Sequence, residues 1–190
     1  MAITGRSLDK AASRWCDDLN RLLNKTVTRA RMVATAGPGQ VSIALREGSD
    51  VGAKVKTRYG SVILSLQQRL RTEVDAHGMH RLHTVRYRYS LAASRRTAAL
   101  VRWDYLCADD HGGAIVCRHH IQGTLPVQLP KETLRLDDFH MPTGYVAIEE
   151  VLRFLLADLD VPALSDEWDQ LLRDSYAAFR KQRAEVWGPA

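Results

Sequence analysis

The chain has 190 residues, a length that suits one domain of ordinary size. With 45% apolar and 26% charged residues it can build a core, which excludes global disorder, and no apolar run approaches the ~18 residues of a membrane span. The formal net charge of +5, carried mainly by arginine, points to a nucleic acid or an acidic protein as partner, with an unliganded basic surface as the plain alternative.

The first stretch reads as a helix. Across residues 7–33, Leu8, Ala12, Trp15, Leu19, Leu22 and Leu23 recur at helical steps, with Ser7 as N-cap and Asp9 in the first turn. The segment turns basic at Lys25, Arg29 and Arg31, and Gly37-Pro38-Gly39 is expected to end it. Val41, Ile43 and Leu45 then alternate as a short strand. Residues 46–56 read as a loop flanking a second, weak strand; GSDVGAK lacks the spacing of a phosphate-binding Walker loop.

Residues 61–75 alternate for longer. Val62, Leu64, Leu66, Leu70 and Val74 point one way; Ser65, Gln67, Arg69, Arg71 and Glu73 point the other. Residues 80–91 repeat the pattern, with Val85, Tyr87, Tyr89 and Leu91 opposed to Arg86, Arg88 and Ser90. Residues 98–107 set Val101, Trp103, Tyr105 and Cys107 against Arg102 and Asp104, and after an Asp- and Gly-rich turn residues 114–121 read as a further strand. Short turns between such strands imply an antiparallel meander. Its polar side then gathers Arg69, Arg71, Arg86, Arg88, Arg102 and Arg118, with Glu73 and Asp104 as partial offsets. On this reading Arg69, Arg71, Arg86 and Arg88 hold nucleic-acid phosphate; an ordinary solvated sheet face is the alternative.

Residues 124–139, with Pro126 and Pro130, read as an irregular crossing segment. Ile148, Val151, Leu152, Leu155, Leu156 and Leu159 form an amphipathic helix that Pro162 stops. Ser165 caps a last helix whose apolar face is Trp168, Leu171, Leu172, Ser175 and Phe179. The expected fold is one α+β domain over residues 1–190. It has an N-terminal helix at 7–33, an antiparallel meander of about four to six strands within 40–122, and C-terminal helices within 147–183, the helices packed on one sheet face.

Cys16, Cys107 and Cys117 are odd in number and show no CxxC spacing. Together with an N-terminus that lacks an apolar leader, they predict a reducing, cytoplasmic setting with unpaired thiols. Cys107 and Cys117 could bridge a hairpin, but each reads first as a small buried apolar residue.

The residues with catalytic chemistry cluster between Val101 and Leu159. Neighbours on a strand face opposite ways, so His119 and His120 part company: His120 joins the arginine side and His119 the core. His140, in LDDFHMPTG, follows two acids and precedes a Pro-Thr-Gly turn, a setting that suits acid–base work near neutrality. One histidine takes a 2′-OH proton, the other protonates the leaving 5′-oxygen, and arginine steadies the charge that develops on phosphorus. His120, His140, Arg102 and Arg118 would supply these roles if their segments meet. His77, His80 and His83 read as turn and strand-surface residues. No metal site is expected, since the histidines lack zinc spacing, and no cofactor motif such as GxGxxG appears.

The block Arg102-Trp103-Asp104, His119-His120 and Ala147-Ile148-Glu149-Glu150-Val151-Leu152 resembles toxins of the TumE type from bacterial toxin–antitoxin modules. The likeness covers about residues 80–160 and departs at Tyr105, where that family often has Asn. The Phe139–Gly144 turn and its helix also resemble small uncharacterised actinobacterial proteins, which imply no activity. The TumE likeness implies a ribonuclease-like toxin with a cognate antitoxin. The residues alone leave two other readings open: a non-catalytic module binding RNA, DNA or an acidic partner on the arginine face, and an oligomeric interaction protein, such as a homodimer, using its end helices.

Overall fold

The computed structural model describes residues 4–106, 119–138 and 141–187. A short strand β1 (Thr4–Gly5) leads into helix α1 (Leu8–Lys25). Strands β2 (Arg31–Gly37), β3 (Gln40–Glu47), β4 (Asp50–Val51), β5 (Ala53–Thr57), β6 (Gly60–Val74), β7 (His80–Ala92) and β8 (Ala99–Leu106) follow. Beyond them lie β9 (His119–Gln122), a small hairpin β10 (Pro126–Gln128) and β11 (Thr133–Arg135), and β12 (Met141–Pro142). Helices α2 (Ile148–Ala157) and α3 (Trp168–Trp187) close the chain.

The main sheet runs β12-β9-β8-β7-β6-β3-β2, all antiparallel neighbours, with β1, β4 and β5 attached at its margins. The α+β class with an antiparallel sheet therefore holds. The sheet is larger than the expected four to six strands, because segments whose strand signal is short or Gly-interrupted also pair. β6 is long enough to hold two partners end to end, β5 along Gly60–Leu64 and β3 along Gln67–Arg71.

Four expectations are corrected. The helix from residue 7 ends at Lys25, where the Thr26 N–H returns to the Leu23 carbonyl; residues 31–37 are strand. Gly37-Pro38-Gly39 is thus the tip of the β2–β3 hairpin, with Gly39 at φ 67°, a conformation glycine adopts without strain. The expected loop at 46–56 contains β4 and most of β5. The crossing segment at 124–139 holds the β10–β11 hairpin and a 3-10 turn at Leu136–Asp138. Val74, expected on the apolar side, is 59% exposed at the last position of β6.

All three helices cover the same sheet face. Ala11, Ala12, Cys16, Leu22 and Leu23 of α1 join Leu64, Leu66, Leu70, Tyr87 and Tyr89 of the strands and Val151, Leu152 and Leu155 of α2 in one core. Leu172 fixes α3 to it. Apolar burial of this kind drives the packing at roughly 25 cal/mol per Å². Two polar devices sit inside. The Gln68 side chain accepts from Trp15 Nε1 at 2.9 Å and donates to the Tyr89 hydroxyl at 2.7 Å, so a buried amide has both ends satisfied. Asn20 accepts from the Met32 N–H at 2.6 Å and donates to its carbonyl at 3.2 Å, filling the outer hydrogen bonds of edge strand β2.

α2 begins where the Glu150 carboxylate accepts from the Ala147 N–H at 2.7 Å, half of a capping box. Among the described residues, no helix is long and apolar enough to cross a membrane.

Candidate functional site: the open sheet face

With helices on one face, the other face is where strand alternation sends the polar residues. Cross-strand register makes this explicit. One row runs Val33, Ala44, Gln67, Arg88, Asp104, His120 and Pro142 from β2 to β12. The next row on one side carries Ser65, Ser90, Arg102 and Gln122; the next on the other carries Thr35, Ser42, Arg69, Arg86 and Leu106.

Asp104 is the hub of this face. Its side chain is only 10% exposed. One carboxylate oxygen accepts from Arg88 Nε at 2.9 Å; the other accepts from Arg102 Nε, whose Nη2 donates in turn to Gln122 Oε1. His120 Nε2 lies 4.0 Å from Asp104 Oδ2, and the His120 side chain is 12% exposed. The result is a planar arginine held on two sides beside an imidazole with a carboxylate at salt-bridge range.

His119 faces the other way, as strand alternation requires. It stacks on Tyr105 at 4.4 Å between centroids and lies 3.4 Å from the Tyr87 hydroxyl. That hydroxyl also accepts from the Val146 N–H at 2.9 Å, which ties the segment entering α2 to the centre of the sheet. Burial pushes the Tyr87 phenol well above its ordinary range, so it stays neutral.

Of the residues expected to carry catalysis, Arg102 and His120 are brought together around Asp104. Arg118 and His140 lie outside the described residues. The chain that flanks them is placed: Met141, which follows His140 in sequence, pairs with Ile121, and Pro142 pairs with His120. Residues 141–142 are therefore sheet neighbours of the strand that carries His120.

The expected phosphate-holding residues share the open face but differ in their pairing. Arg88 is committed to Asp104. Arg69 lies directly opposite Arg86, and neither has a hydrogen-bond or carboxylate partner among the described residues. They border a shallow depression of about 240 Å³ with Ser42, Ala44, Gln67 and Arg88. Arg71 lies opposite His83 beyond a bulge between Arg69 and Leu70.

Several members of this face carry more than periodicity assigns to them. Asp104 looks by that measure like a mere charge offset, yet its acid-between-basics position on alternate residues of β8 is the signal that could have found it. His83 is also more than a surface residue. Its side chain is 14% exposed, and its Nε2 lies 3.0 Å from Glu73 Oε2, off the line of an aligned hydrogen bond. Arg31 and Arg46 also join the open face, directly opposite each other on β2 and β3. Assigning residue 31 to a helix hides that pairing.

These features define the class: an α+β protein whose antiparallel sheet is capped by helices on one side and presents an arginine–histidine face on the other. No family model matches the chain, and no curated protein or solved structure matches it either.

Proposed function

We propose that the protein acts on RNA, holding the phosphate backbone on the open sheet face and cleaving phosphodiesters by histidine acid–base chemistry, in the manner of a small ribonuclease-like toxin. The observation that carries the reading is the set Asp104, Arg102, His120: a buried carboxylate that orients a guanidinium and faces an imidazole on the next strand. In this mechanism His120 moves the proton at its Nε2, and Asp104 steadies the imidazolium without taking the proton. Arg102, already oriented, meets the charge on the phosphoryl oxygens. His140 is the second proton carrier; the pairing of Met141 with Ile121 favours that role. The likeness of Arg102-Trp103-Asp104 and His119-His120 to TumE-type toxins supports the same reading and brings a cognate antitoxin or other acidic protein as the partner that masks the face.

The test is cleavage of a labelled RNA in the presence of EDTA. The wild-type protein cleaves; His120→Ala and His140→Ala each lose turnover. If both variants cleave at the wild-type rate, the catalytic reading is wrong.

One observation favours a second reading, a binding module without turnover. Asp104 engages both Arg88 and Arg102, which lowers the positive charge beside His120. That reading predicts salt-steep RNA binding with no cleavage in any variant.

A further inference from the structure

We propose that the RNA-holding surface extends beyond the strands that carry His120 to the β2–β3 edge, and that it grips the phosphate backbone and ignores the bases. The inference rests on the RNA reading above and adds to it the extent and the chemistry of recognition.

Two cross-strand pairs carry it. Arg31 lies opposite Arg46, and Arg69 lies opposite Arg86. Like charges directly opposite on neighbouring strands repel and destabilise a sheet. One such pair on a solvated face is unexceptional; two on the same face, separated by the Val33–Ala44–Gln67 row, concentrate positive potential along one band. A bridging anion removes the repulsion at each pair and makes charge-assisted bonds to both guanidiniums.

The carboxylates nearby do not neutralise the pairs, because each is engaged elsewhere. Glu47 takes Arg95 at 2.9 Å and the Lys54 N–H at 3.3 Å. Asp104 takes Arg88 and Arg102, and Glu73 takes His83. Arg46 donates only to the Ser49 carbonyl, at 3.1 Å, and Arg31 has no partner among the described residues. A second open depression, of about 500 Å³, lies at this edge, lined by Arg29, Arg31, Val33 and Arg46 and also by Glu47, whose carboxylate is held by Arg95.

The dimensions suit a chain of phosphates. From β9 to β2 the sheet order crosses β8, β7, β6 and β3. At ~4.8 Å per strand this is roughly 24 Å, room for about seven phosphates at the stacked spacing of ~3.4 Å.

The side chains present also say what is not read. Tyr87, Tyr89, Trp103 and Tyr105 all point to the helix side, where they pack in or against the core. Among the described residues of rows β2 to β9 on the open face there is no Phe, Tyr or Trp on which a base could stack, and the His83 and His120 rings there are only 14% and 12% exposed. Proteins that hold single strands through their bases rely on such platforms. This face offers guanidinium, amide and hydroxyl groups, which suit phosphate and sugar.

The experiment titrates fluorescein-labelled oligo(A), oligo(U) and oligo(C) of about twelve nucleotides, longer than the footprint, by anisotropy over a range of salt. It compares the wild-type protein with Arg31→Gln/Arg46→Gln and Arg69→Gln/Arg86→Gln. The expected result is affinity equal within about threefold across the three homopolymers. Each double variant then binds more weakly, and its slope of log affinity against log salt falls by about 1.4, two phosphate contacts at ~0.7 each. Melting temperatures that are unchanged or raised show that the variants fold. If the wild type binds but Arg31→Gln/Arg46→Gln keeps the wild-type slope, or one base is preferred by more than about tenfold, the inference is overturned while the RNA reading stands. If the wild type neither binds nor cleaves any of the three, both are overturned together.

Discussion

Asp104 and His120 stand directly opposite each other on β8 and β9, with the imidazole Nε2 4.0 Å from a carboxylate that two arginines already hold. The relationship makes a distinction between the two residues. Asp104→Asn keeps the shape but leaves Arg88 and Arg102 without their counter-charge. Arg88 is 42% exposed, so water takes up part of the loss, and the expected destabilisation is about 1–3 kcal/mol. His120→Ala leaves that network intact and should change stability by less, about 1 kcal/mol. Urea denaturation of the two variants measures both. Equal losses would mean that Asp104 is not the hub.

Gln68 bridges Trp15 and Tyr89 from inside the core. Gln68→Leu is close in volume and apolar, yet it strips partners from an indole N–H and a phenol at once. The expected cost is about 2–4 kcal/mol. Gln68→Glu keeps an acceptor for Trp15 and can keep a bond to Tyr89, but it buries a charge, so its loss should shrink as pH falls. A Gln68→Leu protein as stable as the wild type would remove the bridge from the account of the core.

The Asn20 amide occupies the outer hydrogen bonds of Met32 on edge strand β2. Asn20→Ala loses two hydrogen bonds and uncovers an edge, at a cost of about 1–3 kcal/mol. A second outcome is peculiar to an edge: the variant should self-associate as concentration rises, which light scattering detects. Loss of stability with no change in association would restrict Asn20 to an ordinary internal bond.

Glu149 is buried on α2 and accepts from Ser175 Oγ of α3 at 2.5 Å. Burial raises its pKa above the ordinary glutamate range, more than the Ser175 bond lowers it. The native state therefore binds this proton more tightly than the unfolded chain does. Stability from this group is complete below the unfolded pKa and declines as pH rises through the raised native one. Glu149→Gln should be more stable than the wild type at neutral pH, and the gap should close as pH falls below the glutamate range. A gap that is constant from acid to neutral pH would show that the carboxyl titrates as it does in the unfolded chain.

The burial that raises Glu149 also acts on Cys16 of α1, whose thiol, with Asp17 beside it, is pushed up to about 11. In a Cys107→Ser/Cys117→Ser background, the folded protein should react with a thiol-directed disulfide reagent at pH 8 far more slowly than the urea-unfolded chain, at least tenfold. Comparable rates would place Cys16 within reach of solvent.

Much of this molecule is legible in its sequence. Alternation over β6, β7 and β8 identifies the strands, and the same period separates His119 from His120 before any contact is known, because side chains on a strand alternate by geometry alone. Helical spacing likewise marks α1, α2 and α3. The weaker elements are not legible. Arg31–Gly37 is short and lies next to an amphipathic helix, and only its pairing with β3 and the Asn20 cap make it a strand. Periodicity cannot see that, since a pairing partner is a long-range fact.

The sequence by itself determined the fold class, the basic charge and the faces of the long strands, all of which follow from local periodicity and composition. Register belongs to the tertiary structure. Only the antiparallel pairing of β6 with β7 and of β2 with β3 sets Arg69 against Arg86 and Arg31 against Arg46. Only β8 beside β9 sets Asp104 against His120, and only the β12 edge brings Met141 to Ile121. A face is a property of one strand, whereas a site requires side chains from several strands at one level, and that level is fixed by hydrogen bonds between segments far apart in the chain.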